Sequence, residues 1–265
     1  MAHEGNVKSG APPKKRKAEV ENAPSKKRKA GDDGAPKKKR KRQVREDDAD
    51  LDAEAGLNRS FERMDSQLIA DHIAQKTTRH GTDLSPVELA DLYVSANHIK
   101  DTTSWEKPRS LENLPEFLEA FSEDPKKLEV APRKNGSPHT LVVAGAGLRA
   151  ADLVRSLRKF QKKGNTVGKL FAKHFKVEEQ VSFLQKSKTG ISVGTPQRLS
   201  DLIENGALNL DNLKRIVVDA SYIDQKKRNI MDMRETMMPL VHLLTKRELK
   251  ERYSAEEKPV ELIFY

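Results

Sequence analysis

The sequence predicts an α/β fold, a single domain whose mostly parallel sheet is flanked by helices, behind a disordered basic tail and a docking helix. Three stretches carry that prediction. Ile191–Ser221 reads as a β-branched strand, an amphipathic helix and a second strand that ends in a continuous apolar run. Thr140–Ala150 is an apolar strand, a glycine turn and a helix start, and Pro259–Tyr265 is one more apolar strand. Strands without polar alternation, separated by helices, belong to a parallel sheet covered on both faces. Five or six strands fit this length.

Charge divides the chain. Residues 1–45 hold 16 Lys/Arg against 5 Asp/Glu, a net +11, and the remainder holds 34 against 35, a net −1. The sequence pI of about 9.5 therefore describes the tail and not the domain. The absence of cysteine excludes disulfides, thiolate metal sites and Cys nucleophiles, and fits a reducing compartment. No apolar run approaches the roughly 20 residues of a membrane span, and the N-terminus shows no signal-peptide core. The composition predicts a soluble intracellular protein.

Residues 1–55 read as the tail. It contains a repeat of period 12, with units that open on Ala-Pro and carry a cation cluster. The clusters are Lys14, Lys15, Arg16 and Lys17; then Lys26, Lys27, Arg28 and Lys29; then Lys37, Lys38, Lys39 and Arg40, running on to Arg42. With almost no apolar residues to bury, such a segment is expected to be disordered. Compact cation clusters fit nuclear import and contact with nucleic-acid phosphates, and the same residues serve both. Glu46–Asp50 then reverses the charge.

Residues 56–80 read as an amphipathic helix with Leu57, Phe61, Met64, Leu68 and Ile73 on one face. Either that face packs on the chain's own domain or it docks in a partner's groove. The docking reading predicts that deleting residues 57–76 frees the protein from its partners and leaves the fold intact. The domain itself is read over residues 81–265. Ser85 and Glu88 form a capping box, with Leu84, Val87, Leu92 and Tyr93 expected inward. Ser110 and Asn113 open a helix over Leu111–Phe121, and Trp105 in the loop before it is expected to pack on the domain.

After the strand at Thr140, Gly145-Ala-Gly147-Leu-Arg-Ala150 matches the dinucleotide fingerprint G-x-G-x-x-[G/A]. The acidic residue expected about 20 positions on is missing, which leaves Gly145 and Gly147 as a candidate phosphate-binding turn. The helix that follows is read as burying Leu153, Val154, Leu157 and Phe160 while showing Arg149, Arg155 and Arg158. Gly164–Lys169 has the wrong spacing and the wrong context for a phosphate loop. Val167–Phe171 reads as a strand and Val177–Leu184 as a helix. Thr195-Pro196 starts the next helix with Thr195 as cap, and Asn205-Gly206 ends it. Met231–Tyr253 reads as a long helix broken near Pro239.

From Thr140 onward the chain resembles the first RecA-like domain of DEAD-box RNA helicases. Leu141–Ala150 is similar to motif Ia, Thr195-Pro-Gln-Arg198 to motif Ib, and Val217-Val-Asp-Ala-Ser221 stands where V-L-D-E-A-D belongs. The resemblance implies RNA-backbone contacts at Thr195 and Arg198, and Arg149 is a further RNA-backbone candidate. It also exposes departures. No Gly-Lys-Thr phosphate loop precedes motif Ia, the motif II glutamate is Ala220, and Asp219 stands with Ala220 and Ser221 as a degenerate motif II. Phosphoryl transfer needs positioned phosphate donors, a magnesium ligand and a water-orienting group, so the reading is of a pseudo-helicase with no catalytic residue, cofactor or metal.

Over nearly its full length, tail included, the chain resembles the Cms-one family of eukaryotes. That resemblance implies a non-catalytic factor of nucleus and nucleolus in the early small-subunit (90S) pre-ribosome. It would bind pre-ribosomal proteins and precursor ribosomal or small nucleolar RNA, without a membrane, as a monomer within a large ribonucleoprotein particle. The alternatives from other classes are a nucleotide- or dinucleotide-dependent enzyme built on the Gly145–Gly147 turn, and a DNA-associated nuclear factor.

Overall fold

Five strands form one parallel sheet: β3 (Thr140–Val143), β4 (Gly168–Leu170), β5 (Ile191–Gly194), β6 (Arg215–Val218) and β7 (Glu261–Phe264). Their order across the sheet is β4-β5-β3-β6-β7, and every pairing is parallel. These details come from a computed structural model that describes residues 49–172 and 175–265. All described residues fall within one compact unit. The cation clusters at 14–17, 26–29 and 37–42 lie outside the described residues.

Alternate residues of each central strand enter opposite cores, as the period of two requires. Leu141, Val143, Ile216, Val218, Leu262 and Phe264 face one core; Val142, Val217, Ile263 and Tyr265 face the other. The first core is covered by α1 (Ser66–His80), α6 (Pro196–Glu204), α7 (Arg234–Leu244) and α8 (Arg247–Tyr253). The second is covered by α3 (Leu114–Ala120) and α4 (Gly147–Leu157). There Phe117 is fully buried and meets Trp105 edge-on, with ring centroids 5.5 Å apart. Among the described residues the remaining α-helices are α2 (Pro86–Asp91) and α5 (Val177–Lys186).

Local chemistry sets the element ends. Ser85 Oγ accepts from the Glu88 N–H, and the Glu88 carboxylate accepts from the Ser85 N–H, so both halves of the predicted capping box form. Pro196 stands in the first turn of α6, where its missing N–H costs nothing. Gly194 closes β5 because a Cβ there would lie 2.6 Å from the Leu170 carbonyl oxygen and 2.7 Å from a Leu199 methyl.

The N-terminal part of the domain departs from expectation. Residues 51–58 form a small antiparallel hairpin of β1 (Leu51–Asp52) and β2 (Leu57–Asn58), so the fold begins before residue 56. A 3-10 turn over Arg59–Glu62 follows, and the helix starts only at Ser66, capped by the Asp65 side chain. Ile69, Ala70, Ile73 and Thr77 are its buried residues. Leu57 and Phe61 lie in the domain's own core, Met64 packs against that core, and Leu68 is 52% exposed. The segment 56–80 is therefore built into the domain, and deleting 57–76 removes core side chains. Val87 and Tyr93 face outward, since α2 is short and buries no residue of its own. The C-terminal helix breaks after Leu244 and not at Pro239, which lies inside α7. Thr245 ends it, its hydroxyl donating back to the Val241 carbonyl at 2.8 Å.

Candidate functional site

Open parallel sheets bind ligands outside the carboxyl ends of their strands. Here that edge comprises the β3–α4 turn, the β5–α6 junction, Asp219 to Tyr222 after β6, and Tyr265 after β7. The backbone draws these pieces together: the Asp219 N–H donates to Val143, and the Ala220 and Ser221 N–H groups both donate to the Tyr265 carbonyl.

At its centre, Arg149 grips Asp219. Arg149 Nε donates to one carboxylate oxygen at 2.8 Å and Nη2 to the other at 2.9 Å. The side chains are 9% and 2% exposed, so this is a buried, bidentate pair. Burial pulls the Arg149 pKa down, but the Asp219 charge and hydrogen bonds outweigh it and the net shift is upward. The guanidinium also lies 4.2 Å from the centroid of the Tyr222 ring. Arg149 was expected on the exposed face of α4, available to RNA. The structure corrects the exposure, because the side chain turns inward from the first turn of α4 to the buried carboxylate of Asp219.

The glycine turn is filled as well. A Cβ on Gly145 would come within 3.2 Å of the Ile230 Cβ, so the turn is small in order to pack against Ile230. Gly147 opens α4 with Ala146 before it and no side-chain cap. Ala220 is wholly buried in the first core, and Ser221 is 1% exposed.

Beyond β7 the edge is closed by residues 99–110. Ile99 forms a parallel bridge with Leu262, and the Lys100 N–H donates to the Leu262 carbonyl at 2.8 Å. Arg109, fully buried, donates to the Phe264 carbonyl and, at 3.0 Å, to the Thr102 hydroxyl. Burial brings its pKa down to about 10. The Tyr265 hydroxyl donates to the Ser110 carbonyl at 2.5 Å, and burial pushes its pKa up.

The motif Ib residues are divided. Thr195 occupies the N-cap position of α6 without a side-chain cap bond, and its N–H donates to Leu170. Arg198 is 9% exposed; its Nη1 donates to the Phe175 carbonyl at 3.0 Å and to Gln180 Oε1 at 2.7 Å. Gln180 in turn donates to the Lys169 and Phe171 carbonyls, so Arg198 helps tie α5 to the edge of the sheet. Thr195, Arg149, Asp219 and Gly145 thus share one edge of the sheet, while Arg198 braces its flank. Among the described residues no cluster of three or more His, Asp or Glu could hold a metal ion, and no helix is long and apolar enough to cross a membrane.

Sequence reasoning missed Arg109, Ile230 and Arg215. Arg215 offered the one legible signal, a cation opening an otherwise apolar strand.

The fold and this edge define a parallel α/β domain whose usual ligand side is closed by its own side chains. Comparison with known proteins supplies the lineage. The chain belongs to the family described as "CMS1: U3-containing 90S pre-ribosomal complex subunit", which it matches over residues 11–265. That description supports a role in ribosome biogenesis. Protein CMS1 of Chaetomium thermophilum is 70% identical over 225 residues, covering 85% of this chain and 90% of that protein. Protein cms1 of Schizosaccharomyces pombe is 32% identical over 184 residues, covering 69% of this chain and 64% of that protein. Solved structures similar to the chain include a DEAD box protein of Methanococcus jannaschii, at 17% identity and a TM-score of 0.38, covering 60% of this chain and 37% of the other. The RNA helicase Prp28 of Chaetomium thermophilum bound to ADP is 20% identical at a TM-score of 0.39, covering 72% and 42%.

Proposed function

We propose that the chain is a non-catalytic assembly factor of the early small-subunit pre-ribosome, a scaffold in nucleus and nucleolus that holds pre-ribosomal proteins and precursor ribosomal or small nucleolar RNA. The observation that carries the non-catalytic half is the Arg149–Asp219 pair. In the helicase reading Asp219 is the one motif II acid retained, and a magnesium ligand must offer a free carboxylate oxygen. Both of its oxygens are bound by Arg149. Ala220, at the water-orienting position, is buried and apolar. Nothing in the Gly145–Gly147 turn favours the dinucleotide alternative, since Ile230 packs into it.

The RNA half rests on the tail clusters at 14–17, 26–29 and 37–42, whose cations position a strand without reading its sequence. Thr195 adds a contact at the domain edge. The protein half has Leu68 as an outward-facing apolar residue on α1, and Val87 and Tyr93 are exposed as well. Ultraviolet crosslinking in cells, with sequencing of the RNA and mapping of crosslinked peptides, tests the reading. Crosslinks to ribosomal precursor or small nucleolar RNA are expected in residues 11–42 and at Thr195. Recovery of no ribosomal precursor contradicts it, and recovery of DNA alone favours the nuclear-factor alternative.

A further inference from the structure

The opposite end of the sheet holds an unsolved charge. Arg215 opens β6 and is 6% exposed, yet its Nε and Nη1 are buried without a hydrogen-bond partner. Burying a guanidinium unpaired is costly, so such a group needs an explanation. The nearby carboxylates do not supply one. Glu123 and Glu261 are close enough to act on Arg215 through their charge, but neither comes within ion-pair distance. Glu261 is paired with Lys100, and Asp124 with Lys127.

Arg215 is also where two recesses meet. One, of about 290 Å³, is lined by Leu128, Val130, Pro132 and His139; the other, of about 400 Å³, by Leu213, Arg252 and Pro259. Glu123, Asn212, Lys214 and Arg215 line both. Together they make a groove across the amino ends of β3, β6 and β7, lined by Arg215, whose unpartnered Nε and Nη1 lie buried just beneath its surface. Val130, in the wall, is 62% exposed.

The chemistry selects the occupant. A planar guanidinium fork accepts a carboxylate or a phosphate in bidentate geometry. The groove also carries Glu123, Asp124, Asp211 and Glu261, so its rim is of mixed sign. A nucleic-acid strand would press successive phosphates against those carboxylates. A peptide brings one carboxylate to Arg215 and apolar neighbours to Leu128, Val130 and Pro132.

We propose that this groove binds an acidic peptide segment of a protein partner, with one Asp or Glu carboxylate paired to Arg215 and the flanking apolar side chains resting on the wall at Leu128 and Val130. The site deepens the scaffold reading by naming a partner's chemistry, and the groove itself does not depend on that reading.

The test is selection of a random peptide display library on the full chain, with affinities and melting curves of the selected peptides against variants. Selected peptides are expected to share an Asp or Glu beside an apolar residue, and changing that acid to its amide should weaken binding by about tenfold or more. Arg215→Met should abolish binding to the same extent while raising the melting temperature of the free chain, because it removes an unpaired buried charge. A purely structural Arg215 predicts the reverse shift in melting. Glu123→Gln should strengthen binding, since Glu123 lines both recesses and its charge repels an incoming carboxylate. Val130→Glu, at an exposed position, should weaken binding by about tenfold without altering the melt, and it serves if Arg215→Met fails to fold.

Peptides that bind Arg215→Met and Val130→Glu as well as the original chain overturn the proposal. So does a selection with no shared acid. An oligouridylate that displaces the peptides and loses its own binding in Arg215→Met assigns the groove to nucleic acid and overturns the peptide assignment. Failure here with intact crosslinks to ribosomal precursors removes this site and leaves the scaffold reading standing.

Discussion

Two buried arginines at opposite ends of the same sheet have opposite surroundings. Arg149, at the carboxyl end, spends its fork on Asp219 and lies over Tyr222. Arg215, at the amino end, has two nitrogens without a partner and a groove beside it. Parallel α/β proteins ordinarily keep their carboxyl ends open for a ligand. This chain fills that end with an internal ion pair, a packed glycine turn and the Arg109 plug, which is held by the Phe264 carbonyl and the Thr102 hydroxyl, while Arg215 at the other end has no hydrogen bond to either buried nitrogen. A paired arginine at the carboxyl edge closes that edge, whereas the unpaired Arg215 lies beside an open groove.

The largest expected effect comes from breaking the closed end. Arg149→Ala leaves the Asp219 carboxylate, 2% exposed, without its partner, and should cost about 3–5 kcal/mol in urea unfolding. The double change Arg149→Met with Asp219→Leu should recover most of that loss, since apolar replacements of a buried pair are commonly near neutral. A double variant no better than the single one would mean the pair does more than fill the edge.

Next is the pH response of the open end. Burial first, then the charges of Arg215 and Lys214, hold His139 down at about 4. Its pKa in the unfolded chain is about 6.5, so below that pH the unfolded state takes up a proton that the folded state refuses. The contribution is fully present above about pH 6.5 and is lost as pH falls toward 4, by up to about 3 kcal/mol. His139→Gln should flatten that part of the stability profile; an unchanged slope would assign it to other groups.

Arg215→Met should move stability upward, by roughly 1–3 kcal/mol, the scale of relieving an unsatisfied buried polar group. The sign, opposite to that of Arg149→Ala, is what sharpens the comparison. Ser85→Ala touches neither end and removes one half of the α2 capping box, for a loss of about 1 kcal/mol or less. It sets the scale of an ordinary local defect.

The sheet was legible because its signals are local. Ile191–Gly194, Arg215–Val218 and Glu261–Phe264 are short, largely apolar runs, and Ser85 with Glu88 fixes a helix start three residues apart. The N-terminal segment was not legible. Leu57, Phe61, Met64 and Leu68 recur at nearly helical spacing, but hairpin strands of two residues are too short to show alternation. The true helix buries Ile69, Ala70, Ile73 and Thr77, on a face that the outward Leu68 does not share.

Site residues were harder still. Arg149 stands among exposed cations on α4, and only its partner, 70 residues away in sequence, makes it internal. Arg109 is held by Phe264, 155 residues away, and no local pattern marks it. A charge in a sequence reads as solvent-facing until the fold brings its counter-charge, and the absence of one at Arg215 is visible only in three dimensions.

The central claim is that the carboxyl edge is closed to nucleotide. The direct measurement is the melting temperature of the full chain with and without millimolar ATP and magnesium, since a ligand that binds only the folded state must raise it. The closed edge predicts no shift for the original chain. A saturable rise that disappears in Asp219→Asn, with that variant still folded, would show that Arg149 yields to nucleotide and would contradict the account.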